Sequence, residues 1–390
     1  MTLRARRVVE RLPWVAHGGI DEAELERQGL EPENLLDFST GVNPWGPPPM
    51  VQEALKDVPI GPYPDPSAVR LRRAIGTALG VSPDEVLVGH GASELIQLVA
   101  WAYITQRRRV MIWGPTYGEY ERVTRLMGAR PIVYRQDVEG PGAWDRIAVE
   151  RALARERPHV AFLCNPNNPT GHRLSGADIR RWTQRYPDTL FVIDESYAAL
   201  AGGSDLLDGT QPIPANCVVL RSLTKDYGLA GLRLGYAVAP APIITTLRRC
   251  QIPWSVGTMA QVAGIVVFTD PTVSVWLRQV VQNLRELGDR LRQSVQSLGF
   301  RVLAGTTPFF LIHVGDATLV RNCLLRQYRI LVRDCTSFGL PAWIRVMPRL
   351  EASNARLVQA LQDIRELIKD RTLQDERVLD GFPGRPKFNR

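Results

Sequence analysis

The chain has 390 residues, of which 45% are hydrophobic and 23% charged, and a formal net charge of +8. That length exceeds one ordinary hydrophobic core, and the composition excludes a disordered, collagenous or disulfide-dense chain. The arginines are scattered over many segments instead of forming a stripe, which argues against a nucleic-acid partner and leaves a mild attraction for anionic ligands.

In chain order, an N-terminal arm is expected over 1–48, followed by a large domain over 49–265. Within that domain the runs 86–88, 110–113, 131–134, 160–164, 190–194, 218–221 and 234–238 are mostly continuous in apolar residues, as buried parallel strands are. The segments 67–79, 93–103 and 118–127 between them carry apolar residues at helical spacing. The alternation predicts an α/β fold with a mostly parallel seven-stranded sheet. A long helix begins near Pro271, with Leu277, Val280, Leu284, Leu287, Leu291, Val295 and Leu298 at steps of three or four, and is expected to join two domains. Runs at 309–314, 330–333 and 344–346, with helical stretches between them, predict a smaller α+β domain over 266–370 that ends in a helix over 354–369. Residues 371–390 are polar and read as a tail.

The five cysteines, Cys164, Cys217, Cys250, Cys323 and Cys335, form no CxxC pair and are odd in number, so a reducing compartment and no metal site are expected. No signal core follows the Arg-rich start, and no run approaches the roughly 20 apolar residues of a membrane span. A cytoplasmic protein without a membrane partner is the expectation.

The most informative segment is Ser222-Leu223-Thr224-Lys225, which follows a predicted strand and precedes Arg233. It gathers an amine, hydroxyls and a guanidinium. A lysine that forms a Schiff base must lose its proton, so its surroundings have to lower its pKa. Ser222, Thr224 and Arg233 suit a phosphate beside it. Alone, the letters S-x-x-K ordinarily mark a surface lysine, and they also occur in a serine-acylating motif.

NPNNPTG at 165–171 reads at minimum as a tight turn after a buried strand. Its Asn168 stands at the carboxyl end of that strand, where open α/β sheets place ligands, and its amide can donate to a phenolate. DESY at 194–197 puts Asp194 at the end of the next strand, where it either caps a turn or keeps a pyridine nitrogen protonated, and brings Tyr197 within reach of a phenolic oxygen. GHGASE at 89–94 joins a strand to a helix whose first amides, at Gly91, Ala92 and Ser93, form an anion site. It lacks both the GxGxxG spacing and the terminal GK[ST] of nucleotide loops. Tyr117 follows another strand and can stack on a flat ring.

Together and in this order, GHGASE, NPNNPTG, DESY and SLTKDYGLAGLRLGY resemble the class I/II aminotransferases, the fold type I enzymes that use pyridoxal 5'-phosphate. The resemblance runs over roughly residues 15–370. It implies that Lys225 carries the cofactor, that Asn168, Asp194, Tyr197 and Arg233 hold it, that Gly91, Ala92, Ser93, Ser222 and Thr224 surround its phosphate, and that Tyr117 stacks on its ring. It also implies a homodimer in which Tyr63, from Gly61-Pro62-Tyr63-Pro64-Asp65, reaches the neighbouring active site. Arg345 matches the family's arginine for a substrate carboxylate.

Within the family, His17-Gly18-Gly19, Leu36-Asp37-Phe38-Ser39, Asn43-Pro44-Trp45-Gly46-Pro47 and Val332-Arg333-Asp334-Cys335 resemble the threonine-phosphate decarboxylases of cobalamin biosynthesis. The expected reaction is therefore decarboxylation of an O-phosphorylated amino acid, with His17, Asn43, Asn168, Arg333 and Arg345 at the substrate. A histidinol-phosphate-type aminotransferase is the alternative, and a non-catalytic cofactor-binding regulator a third. Decarboxylation and transamination differ in which Cα bond stands upright over the cofactor plane.

Overall fold

The computed structural model describes residues 4–138 and 146–371. Its centre is a seven-stranded sheet in the order β2-β8-β7-β6-β5-β3-β4, whose strands are β2 (Val86–His90), β3 (Val110–Gly114), β4 (Pro131–Arg135), β5 (Val160–Cys164), β6 (Leu190–Asp194), β7 (Cys217–Ser222) and β8 (Leu234–Val238). β8 alone runs antiparallel to its neighbours, β2 and β7. The inner strands are mostly apolar because both faces are covered: Leu87, Ile112, Phe162 and Leu220 enter one core cluster with the helix Gly91–Tyr103, and Met111, Leu163, Phe191 and Val219 enter another with the helices Arg146–Glu156 and Gly176–Arg185. β2, β3, β5, β6 and β7 all end at the same edge of the sheet, so the four motifs open there side by side.

A second, four-stranded sheet is antiparallel in the order β12-β13-β10-β9, formed by β9 (Val302–Ala304), β10 (Phe310–His313), β12 (Arg333–Asp334) and β13 (Trp343–Val346). The helix Pro271–Ser297 links the two regions: Val273 sits in a core cluster of the first, while Leu291 and Val295 sit in the core of the second.

The run expected as one strand over 330–333 divides in two. β11 (Ile330–Leu331) pairs in parallel with β1 (Leu36–Asp37) from the N-terminal arm, and β12 joins the antiparallel sheet instead. The arm is thus part of the C-terminal region's core, where Phe38 is fully buried with Phe310 and Ile344, and Leu25 and Leu30 pack with Leu325 and Leu331. The helix expected over 67–79 begins at Val69, because the Asp65 carboxylate accepts from the amides of Ser67 and Val69 and ends the preceding turn. The last helix spans Glu351–Arg371, and the tail expected beyond it lies outside the described residues. Among the described residues no single helix is long and apolar enough to cross a membrane.

Candidate active site

A cavity of about 460 Å³ opens at the carboxyl edge of the large sheet, between it and the antiparallel sheet. Of the residues singled out in the sequence, Ala92, Ser93, Tyr117, Asn168, Asp194 and Tyr197 line it from the strand ends. Ser222, Thr224, Lys225 and Arg233 line it from the β7–β8 connection, and His17, Arg333 and Arg345 from the arm and the second sheet.

Lys225 is held by its backbone. Leu223 N donates to Leu234 O, Asn43 N donates to Lys225 O at 2.9 Å, and Asn43 Nδ2 donates to Asp226 O at 2.7 Å. Asn43, expected at the substrate, does not line the cavity: its Nδ2 donates to Asp226 O and its Oδ1 accepts from Trp45 N. Burial, then the charges of Arg345 and Arg233, push the Lys225 ammonium down to about 8, so its amine is readily neutral. Its Nζ lies 6.0 Å from the centre of the Tyr197 ring.

Asp194 is buried at the end of β6. Its Oδ1 accepts from Ser196 N and Ser196 Oγ, and its Oδ2 accepts from Tyr120 Oη at 2.7 Å. Neither Tyr120 nor Ser196 stands out in the sequence. Tyr120 lies in the first turn of the helix Glu119–Leu126, three residues beyond Tyr117, and the sheet's β3-β5-β6 order brings it to Asp194. Tyr117 is kept a neutral phenol, its pKa raised to about 12 mainly by burial.

At the other end of the cavity, Gly91 has φ +74°, and an added Cβ would lie 2.9 Å from Arg233 Nη2. The first amides of the helix Gly91–Tyr103 and the Arg233 guanidinium therefore approach as closely as a glycine permits. Arg233 itself has φ +53°, a left-handed conformation that a side chain disfavours, with Nη1 donating to Ala230 O. Beside it, Ser222 Oγ accepts from Thr224 N at 3.2 Å.

On the opposite wall Arg345 and Arg333 face each other across β13 and β12. Arg345 donates to Asn168 Oδ1 and to Ser39 O, while among the described residues its buried Nε has no hydrogen-bond partner. Arg333 donates to Ala16 O and Ser337 Oγ, and burial together with the charge of Arg345 brings its pKa to about 10, still cationic at neutral pH. Among the described residues, Lys225 and five arginines, Arg122, Arg125, Arg233, Arg333 and Arg345, line the cavity against the carboxylates of Asp194 and Glu121, an excess of basic groups that favours anions. Tyr63 is not in this cavity: it is 81% exposed and its ring lies 4.8 Å from that of Trp254.

A ligand with a phosphate at one end and a protonated ring nitrogen at the other fits these residues. Arg233, the serine and threonine hydroxyls and the glycine cradle suit the phosphate, Asp194 suits the nitrogen, and Lys225 stands between them with an amine able to bond a carbonyl carbon.

Comparison with known proteins agrees with that fit. The family model "aminotransferase class I and II" matches residues 33–361. A histidinol-phosphate aminotransferase of Carboxydothermus hydrogenoformans is 31% identical over 93% of this chain and 99% of its own length. Further relatives of the same name are 29–32% identical. The histidinol-phosphate aminotransferase of Sinorhizobium meliloti, solved with pyridoxal-5'-phosphate, superposes with a TM-score of 0.82 over 94% of this chain and 99% of that one, at 22% identity. L-threonine-O-3-phosphate decarboxylase from Porphyromonas gingivalis superposes with a TM-score of 0.70 over 84% of this chain and 99% of that one, at 26% identity. These findings overturn the expected decarboxylase: the relatives at about 30% identity are aminotransferases, and the decarboxylase enters as a more distant structural neighbour. The motifs that suggested it are short and lie in the arm and at β12, whereas the relatives match along nearly the whole chain. The chain belongs to the class I and II aminotransferases, has their fold type I architecture, and uses pyridoxal 5'-phosphate.

Proposed function

We propose that the protein transfers an amino group between a phosphorylated amine of the histidinol phosphate type and 2-oxoglutarate. The observation that carries this reading is the full-length similarity to histidinol-phosphate aminotransferases, joined to a cavity whose far wall is cationic. When bound, pyridoxal phosphate supplies an electron sink for the bond broken at the substrate's Cα.

The chain's own residues take the following parts. Gly91, Ala92, Ser93, Ser222, Thr224 and Arg233 would hold the cofactor phosphate, and Asp194, fixed by Tyr120 and Ser196, would keep the ring nitrogen protonated. Asn168 and Tyr197 would bind the ring oxygen, and Tyr117 would stack on the ring. Lys225 would carry the cofactor, and its amine would move the proton at the substrate's Cα, a task suited to a group whose pKa is brought down to about 8. Arg345 and Arg333 bind the substrate's anionic groups, with Asn168 Oδ1 and Ser39 O orienting the Arg345 guanidinium. Tyr63, exposed beside Trp254, completes the site of a second copy of the chain in a homodimer. A neighbouring copy would also cover the exposed Ile60 and Ile252.

The test is to incubate the purified holoenzyme with L-histidinol phosphate and 2-oxoglutarate and to measure glutamate. Glutamate formed in step with loss of the amine is expected, and its absence would overturn the assignment. The cradle gives a second expectation. Gly91→Ala adds a methyl group at a positive φ and against Arg233, a penalty of about 1–2 kcal/mol, so the apoprotein should bind pyridoxal phosphate roughly tenfold more weakly in an absorbance titration.

A further inference from the structure

One charged array at the mouth of the cavity has no part in the chemistry above. Residues 13–18 of the arm cross the opening, and the indole of Trp14 is fully exposed there. Three contacts hold the crossing in place. Val15 packs on Gly118, where an added Cβ would lie 2.9 Å from Val15 Cγ1; Arg333 Nη2 donates to Ala16 O at 2.8 Å; and His17 Nε2 lies 3.3 Å from Glu119 Oε1.

Glu119 does more than hold the arm. Its second oxygen, Oε2, accepts from Arg122 Nε at 2.6 Å, and its side chain is only 9% exposed. Burial alone would raise its pKa, but the hydrogen bonds and charges of His17 and Arg122 outweigh that effect, so the net shift is downward and the group is ionised at neutral pH. One carboxylate thus fixes an imidazole from the arm and a guanidinium from the helix Glu119–Leu126, and both of these line the cavity. The guanidinium is engaged through Nε, and among the described residues no hydrogen bond takes up its two terminal nitrogens. An ordinary surface ion pair contributes little, but a buried carboxylate with its two oxygens facing nitrogen groups from two segments fixes geometry.

We propose that Glu119 is a positioning residue for substrate selection: it holds His17 and Arg122 at the outer wall so that together they recognise a phosphate monoester borne by the substrate. The inference rests on the transamination reading for its substrate, and on the geometry alone for its anion. It carries a sign that charge alone would reverse. If net charge set the affinity, removing the carboxylate would tighten phosphate binding, whereas loss of positioning weakens it.

The experiment uses the pyridoxal-phosphate-loaded enzyme with Glu119→Ala and, independently, Gly118→Ala, which displaces Val15 without touching a charge. With L-histidinol phosphate the expected result for both is a KM raised roughly 5- to 20-fold and kcat changed less than about twofold. With L-histidinol, which lacks the phosphate, kcat/KM should be nearly unchanged, so that the preference for the phosphorylated amine collapses. In parallel, tryptic cleavage after Arg11 is followed by mass spectrometry with and without inorganic phosphate. Phosphate should protect the wild-type arm and fail to protect either variant. A Glu119→Ala enzyme that keeps the wild-type phosphate protection, or binds phosphate more tightly, overturns the proposal. The proteolysis arm needs no turnover, so it decides the role of Glu119 even if the wild-type enzyme does not transaminate histidinol phosphate.

Discussion

Lys225→Ala should lower turnover by at least about 10³-fold, near the upper end of what one general acid–base group contributes, and should also abolish covalent attachment of the cofactor. The expectation follows from position as much as identity. The side chain lines the cavity together with Asp194 and Arg345, its backbone carbonyl is held by Asn43 N, and among the described residues no other lysine lines the cavity. The pH dependence has a definite sign. Burial and two arginine charges disfavour the ammonium form, so the amine becomes neutral above about pH 8, well below the 10.4 or so of an exposed lysine. Capture of pyridoxal phosphate by the apoprotein should therefore accelerate as pH rises toward 8 and level off above it. Mass spectrometry after borohydride reduction checks both points, since the wild type should retain the cofactor on the peptide containing Lys225 and the alanine variant should not. Retention of label or turnover in the variant would remove Lys225 from the chemistry.

Arg345→Leu should lower kcat/KM for 2-oxoglutarate by roughly 10²- to 10³-fold, the range for removing one member of a desolvated, hydrogen-bonded charge pair. Arg345 is 3% exposed, lies over the Phe309 ring with its guanidinium carbon 5.1 Å from the ring centre, and is aimed by Asn168 Oδ1 and Ser39 O. Two of its nitrogens are occupied in this way, and the unpartnered Nε leaves a donor for an incoming carboxylate. Arg345→Lys should recover little, because an ammonium cannot keep the Asn168 and Ser39 bonds and still present a planar fork. Single-turnover kinetics of each half-reaction would separate this loss from a change in cofactor binding. Equal activity of the leucine variant would show that the carboxylate binds elsewhere.

Much of the fold is legible in the sequence because its signal is local. Continuous apolar runs such as those at 160–164 and 190–194 become strands buried on both faces, and the turns that follow them carry the polar residues of the cavity. What was not legible depends on pairing between distant segments. Nothing around Leu36 announces that it will lie beside Ile330, nor that Val332 separates strands of two different sheets. Asn43 looked like a ligand residue in its NP-x-GP setting, yet its amide is consumed by the backbone after Lys225. Tyr120, Ser196 and Glu119 were missed for the same reason, since their roles exist only once Asp194, His17 and Arg122 arrive beside them. Short arm motifs pointed to threonine-phosphate decarboxylase, whereas the relatives that match along most of the chain are histidinol-phosphate aminotransferases.

The pairing of Leu36–Asp37 with Ile330–Leu331 also sets an order of events in the cell. A ribosome extending the chain by about 5–20 residues per second needs roughly 15–60 seconds to travel from one of these partners to the other. Before that interval ends, once residue 238 has been made, the large sheet has all its strands, while Phe38 still lacks the core it enters. Capture of the beginning of the chain by its end therefore has to wait until the C-terminal segments are made, and the arm lines the cavity only after that pairing. A nascent or truncated chain that stops short of β11 would hold the cofactor-facing strands without the wall that selects a substrate, so cofactor capture can precede competence for catalysis.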